Sequence, residues 1–174
     1  MRSFRLAAVA ASLLLTSIVV TACAASPEGE SASPTPMFAS DEEAFAAAEA
    51  TYAEFIAATN SALANPDDSS RQSALLVGAA YADELRAHRD LLSSGRSVTG
   101  EYSVNNVTRI SADDITVTLA ACLDASQTRL LSASGEDITP SNRDAIVPLK
   151  LTFALVGGSV LLSESIGYPG SGSC

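Results

Sequence analysis

The chain has 174 residues, with 20 acidic against 10 basic side chains, one histidine, three cysteines and no tryptophan. A formal charge of −10 repels phosphate backbones, so nucleic-acid binding, which relies on a basic footprint, is excluded as a leading function. At 47% apolar but only 5% aromatic, the composition fits one small domain with a thin core of alanine, valine and leucine.

Met1 to Arg5 carries two arginines and no acid, and Leu6 to Val20 then runs apolar or small. That stretch is shorter than the roughly 20 residues of a membrane-spanning helix, so it reads as a secretory signal. The junction Val20-Thr21-Ala22-Cys23 resembles the bacterial lipobox. The resemblance implies cleavage before Cys23 and acylation of its thiol, with residues 1–22 as a lipoprotein signal peptide. The alternative is an ordinary signal peptide cut among Ala22 to Ala25. Two acyl chains of palmitate type give stable anchoring where one is marginal, at about 0.8 kcal/mol per buried methylene. The expected location is the extracytoplasmic face of the cell membrane, with the lipid bilayer as partner through Cys23. Losing Arg2 and Arg5 takes the formal charge from −10 to −12. Nine of the ten basic residues are arginine and alanine is abundant, a composition similar to that of high-GC Gram-positive bacteria.

Residues 23–39 then form a tether. Pro27, Pro34 and Pro36, with several serines and two glutamates, offer too little apolar surface to fold. At about 3.1 Å per residue its reach is up to roughly 50 Å. A single domain over 40–174 follows. Ser40-Asp41-Glu42-Glu43 has a capping-box pattern, and Phe45, Ala48, Tyr52, Phe55, Ile56, Thr59 and Leu63 recur at helical spacing up to a stop at Asn65-Pro66. Glu42, Glu49 and Glu54 occupy the other side. A second helix is expected from a cap in Asp67 to Ser70 through about Ser94, with a weaker stripe of Leu75, Ala79, Ala82, Leu85, Arg89 and Leu92, and Gly95 as its stop.

From Val98 the period changes to two, through Gly100, Tyr102 and Val104, with a parity slip at Asn105-Asn106 that predicts a bulge. Ile115, Val117, Leu119, Ala121 and Leu123 make the clearest strand. Gln127 to Leu131 predicts a short strand, Gly135 to Arg143 a polar loop, and Leu149, Leu151, Phe153 and Leu155 another strand. Gly157-Gly158 turns the chain back into Val160, Leu162 and Ile166. The fold class is α+β, two N-terminal helices packed on a curved antiparallel sheet of about five strands. This element order over Asp41 to Cys174 resembles the NTF2-like (cystatin-like) superfamily, including small actinobacterial lipoproteins. A two-helix cover on a sheet of other connectivity is the alternative.

With Cys23 acylated, Cys122 and Cys174 remain as an even pair in an oxidising compartment, which predicts a disulfide. A free buried Cys122, or a redox or metal role, is the alternative. No CxxC and no histidine cluster supports a metal or cofactor, and none is expected. His88 stands in a charged helical segment and reads as a surface or half-buried residue. The chain has no Gly-x-Ser-x-Gly elbow, no serine three residues before Lys150, and no EF-hand glycine or glutamate around Asp137, Thr139, Ser141 and Asp144. The NTF2-like resemblance implies an acid or base in the cone between helix and sheet. Tyr52, Tyr102 and Asp124 are the candidates there, and Tyr52, Phe55, Tyr102 and Phe153 the lining of a possible pocket. The leading expectation is a non-enzymatic domain that binds an unidentified protein or envelope component. The alternatives are a pocket that binds or isomerises a small hydrophobic ligand, and inhibition of an envelope enzyme through the acidic surface.

Overall fold

Ser40 starts the first helix as the sequence predicts. In α1, Asp41–Ala64, the Ser40 hydroxyl accepts a hydrogen bond from the Glu43 amide at 3.3 Å. The Glu43 carboxylate accepts one from the Ala39 amide at 2.9 Å, one residue earlier than in the standard box. Asp41, Glu42 and Glu43 all sit in the first turn, where negative charge favours the helix dipole. The helix ends at Asn65, whose amide donates to the Ser61 carbonyl at 2.8 Å. Its buried line is Ala44, Ala48, Tyr52 and Ile56, at strict four-residue spacing, with Phe45 and Phe55 packed half-buried at its sides. The alanines let α1 lie close against the sheet. The computed structural model describes residues 37–65, 69–169 and 174, within the compact unit Thr35–Cys174. The signal, Cys23, most of the tether and the Asp67 cap therefore lie outside the described residues.

The second predicted helix is two. α2, Ser69–Ala74, and α3, Gly78–Ser94, are separated by a short extended link. There the Leu162 amide donates to the Leu75 carbonyl and the Val77 amide to the Leu162 carbonyl, both at 3.0 Å, in a parallel bridge centred on Leu76. These sheet-type bonds replace helical ones, and Gly78 restarts the helix from a φ of +60°. The stripe expected on α3 is also corrected. Ala79, Ala82, Leu85, Arg89 and Leu92 are exposed, and only Ala80 is buried. Gly95 closes α3 in the left-handed conformation, φ +66°, as expected.

Six strands follow among the described residues: β1 Ser97–Thr99, β2 Ser103–Ala112, β3 Thr116–Asp124, β4 Arg129–Leu131, β5 Ile146–Val156 and β6 Ser159–Gly167. They form a four-stranded antiparallel sheet, β2-β3-β5-β6, and a two-stranded antiparallel pair, β1-β4. The strand expected from Val98 through Val104 is thus divided between two sheets. Gly100 is the break: its φ is +92°, and a Cβ there would lie 2.0 Å from the Gln127 carbonyl oxygen. The predicted slip at Asn105-Asn106 is present as a register shift between Asn105 and Thr108, with Asn106 at φ +49°. Gly157 and Gly158 have φ of +59° and +85°, the two positive angles of a tight hairpin. Ile115 and Ile166, expected on buried faces, are 69% and 43% exposed, because Ile115 precedes β3 and Ile166 follows the β5–β6 register shift.

The inner face of the sheet carries Val117, Leu119 and Ala121 of β3, Leu151 and Phe153 of β5 and Leu162 of β6, all buried in one cluster with Ala44, Ala48, Tyr52 and Ile56 of α1. Burying a side chain of Leu or Phe size contributes roughly 1.5–3 kcal/mol, so this layer is the main stabilising element. Among the described residues the architecture is α+β, with three helices and antiparallel sheet strands. No helix of the described residues is long and apolar enough to cross a membrane.

Candidate functional site

Cys122 and Cys174 form a disulfide, with an S–S distance of 2.04 Å and Cα atoms 5.7 Å apart. Cys122 pairs with Asn105 on one side and Pro148 on the other, on the sheet face opposite the Leu119 side chain. The Tyr168 amide donates to the Pro148 carbonyl at 2.8 Å, which holds the end of β6 beside β5. The bond then ties the C-terminal residue to β3, across the intervening strand.

Of the four residues named for a pocket, Tyr52, Phe55 and Phe153 meet as packing, and Tyr102 packs against the same core cluster. Tyr52 and Phe153 are 3% and 0% exposed, with ring centroids 6.5 Å apart edge to face. Phe55 stacks on Tyr52 at 6.2 Å. Such aromatic pairs add about 0.5–1.5 kcal/mol beyond area burial. Tyr102 is half-buried, and its backbone is gripped by the Asn60 side chain, which donates to the Tyr102 carbonyl at 2.9 Å and accepts from its amide at 2.8 Å. Burial pushes the phenols of Tyr52 and Tyr102 above the usual tyrosine range. The Arg143 charge partly opposes this at Tyr102, and Glu84 adds to it. Asp124 serves as a turn residue, accepting from the Ser126 amide at 2.8 Å, which holds its carboxyl below the ordinary range.

Two of the clefts among the described residues are open spaces lined by none of those four. One, of about 210 Å³, lies between the start of α1 and the β2–β3 turn, where Asp41, Asp113 and Asp114 meet Phe38 and Leu155. Asp113 is already spent on the turn, accepting from the Ile115 and Thr116 amides at 2.9 and 2.8 Å. The other, of about 250 Å³, lies between α2 and α3 and is lined by Ser69, Gln72 and Ser73 from α2 and by Tyr81, Glu84, Leu85 and His88 from α3.

This second cleft has a chemistry that the first lacks. In α3 the positions least exposed are Ala80, Glu84 and Leu91, so a carboxylate is half-buried while the larger apolar side chains of Tyr81, Leu85 and Leu92 are exposed. Burial pushes the Glu84 carboxyl up from the usual range, against the opposing pull of a hydrogen bond from the Gln72 side chain and the charge of His88. Gln72 is only 6% exposed. Residues 81, 84, 85 and 88 share one helix face, a spacing visible in the sequence. The stripe read there was out of phase with it, and Gln72 comes from the separate helix α2.

Among the described residues no group of three or more histidine, cysteine, aspartate or glutamate side chains is placed to hold a metal ion. No family model matches the chain, and no curated protein matches it. Among solved structures the chain is similar to Aln2 from a Streptomyces species, at 17% identity over 73% of this chain and 90% of that one, with a TM-score of 0.46.

Proposed function

We propose that the protein is an extracytoplasmic lipoprotein, held at the cell membrane by acylated Cys23, whose NTF2-like α+β domain binds a partner or ligand without catalysing a reaction. The observation that carries this reading is the division of its three cysteines. Cys122 and Cys174 take each other, so the remaining cysteine is the one behind Val20-Thr21-Ala22. A disulfide is stable in oxidising compartments and rare in the cytosol, which supports export. Three helices followed by an antiparallel sheet in the order β2-β3-β5-β6 support the NTF2-like assignment. A hydrophobic ligand inside the cone would need space that the Tyr52, Phe55 and Phe153 rings occupy, so a surface cleft suits binding better. The test is metabolic labelling of the native host with radioactive palmitate. Wild-type protein takes up label and Cys23→Ala does not; equal labelling of the two overturns the anchor.

A further inference from the structure

We propose that the cleft between α2 and α3 is a binding site for a small organic cation, a primary ammonium or guanidinium group, with Glu84 as its counter-charge and Tyr81 as its rim. This deepens the reading of the domain as a binding module but does not depend on the anchor.

The argument starts from an inversion in α3. A helix that covers a sheet ordinarily turns apolar side chains inward and charges outward. In α3 Glu84 is half-buried, as are few positions of this helix, while Tyr81 and Leu85 beside it on the cleft are 45% and 42% exposed. A carboxylate withdrawn from water loses hydration and needs compensation from fixed donors or an opposite charge. The protein supplies one uncharged donor, the Gln72 side chain, itself 94% buried since its exposure is 6%. Among the described residues, the one base lining the cleft is His88, one helical turn beyond Glu84. Arg71, on α2, is already paired with Glu54 at 3.9 Å. Tyr102 feels the Glu84 charge but is a neutral phenol and contributes no cation. The cleft thus holds a carboxylate, met by one amide donor and by the His88 charge, on the wall of an open space of about 250 Å³, room for a ligand rather than for water alone.

The remaining lining suits a cation with N–H donors. Glu84, the hydroxyls of Ser69 and Ser73, and the Tyr81 phenol all present acceptor oxygens. A planar guanidinium or an ammonium can also lie against the exposed Tyr81 ring, whose face attracts positive charge. A divalent metal ion is poorly served, since one carboxylate and one imidazole fall short of its usual ligand set. The overall charge of −10 adds long-range attraction for a cation.

The test uses two probes of one shape and different charge, N-butylguanidinium and N-butylurea, titrated into the full-length protein in detergent by calorimetry at low ionic strength. Butylguanidinium is expected to bind at least about tenfold more tightly than butylurea, and Glu84→Gln to bring the two affinities together. Glu84→Gln keeps the side-chain shape, and its far-UV circular dichroism and melting temperature report whether it folds. Should that variant not fold, the wild-type pair of titrations decides alone. Equal affinity for the two probes, no binding of either at tens of millimolar, or undiminished butylguanidinium binding by folded Glu84→Gln each overturns the site. None of these results touches palmitate labelling at Cys23, so a failed site and a failed anchor remain distinguishable.

Discussion

Cutting the Cys122–Cys174 bond should cost this domain a large share of its stability, and the size of the loss follows from the chain it closes. The two cysteines are 52 positions apart. The chain-entropy relation for a loop of that length removes about 14 cal/mol/K from the unfolded state, or about 4 kcal/mol at 25 °C. That is an upper figure, because strain in the folded bond and any freedom the folded chain regains both subtract, and the net expectation is about 2–4 kcal/mol. Against a typical total of about 5–15 kcal/mol this decides how much of the protein is folded at growth temperature. Cys174→Ser is the right perturbation, since Cys174 is exposed, whereas Cys122 is 1% exposed and its replacement would also disturb packing. Urea unfolding followed by circular dichroism gives the free energy for wild type, for Cys174→Ser and for wild type in reductant. Free energies rather than midpoints must be compared, because the cross-linked unfolded chain is more compact and has a smaller denaturant slope. The last two should agree with each other and fall below the first. A Cys174→Ser protein within about 0.5 kcal/mol of wild type would refute the reasoning.

Four further outcomes are expected. Gly100→Ala combines a φ of +92° with a Cβ placed 2.0 Å from the Gln127 carbonyl, so it should cost at least about 3 kcal/mol, whereas Gly157→Ala, at φ +59° with open space around it, should cost only about 1 kcal/mol by the same urea assay. Tyr52→Ala removes a ring packed on Phe55 and Phe153 and should cost about 3–5 kcal/mol, while a loss below about 1 kcal/mol would mean that the ring lines open space. Burial raises the folded pKa of Tyr52 and Tyr102 above the unfolded value of about 10, so the stability linked to their neutral forms is whole below that pH and is lost as pH rises through the folded values; Tyr52→Phe should therefore shift alkaline unfolding to higher pH. Arg109 joins β2 to α1 by pairing with Glu42 and with Glu49, at 2.5 and 2.7 Å, over the Phe45 ring, so Arg109→Gln should speed amide hydrogen exchange in the first half of α1 and make the melting temperature less sensitive to salt.

Much of the fold was legible because it is governed by local rules. The Ser40 cap, the Gly95 stop, the Gly157-Gly158 hairpin and the two-residue period of Val117, Leu119 and Ala121 each follow from the backbone preferences of a few neighbouring residues. What was not legible depends on distant partners. Gly100 looked like a strand residue until the Gln127 carbonyl arrived beside it, 27 positions later in the chain, and divided one expected strand between two sheets. Tyr52, Phe55 and Phe153 carried the right residue types for a pocket, but whether rings line a space or fill it depends on how α1 seats on the sheet, and here Tyr52 meets Phe153 edge to face.

The cleft at Glu84 has the same kind of origin. A helix running without a break from Ser69 to Ser94 would stack Gln72 and Glu84 about three turns apart along one axis, too far to meet, at about 1.5 Å of rise per residue. Leu76 prevents this by pairing with Leu162, which breaks the helix at Leu75–Val77, so that α2 packs on α1 while its residues still share a cleft with α3. Only then does the Gln72 side chain reach the Glu84 carboxylate. The sheet edge at β6 therefore creates the cleft, and a change that weakens the Leu76–Leu162 bridge should open it without touching any lining residue. Leu76→Ala tests the side-chain part of this dependence, since it leaves the backbone bonds in place and removes the buried side chain that seats the link in the core: it should reduce butylguanidinium affinity while the far-UV spectrum keeps its helical signal, and unaltered affinity would show that this side chain does not hold the two helices in place.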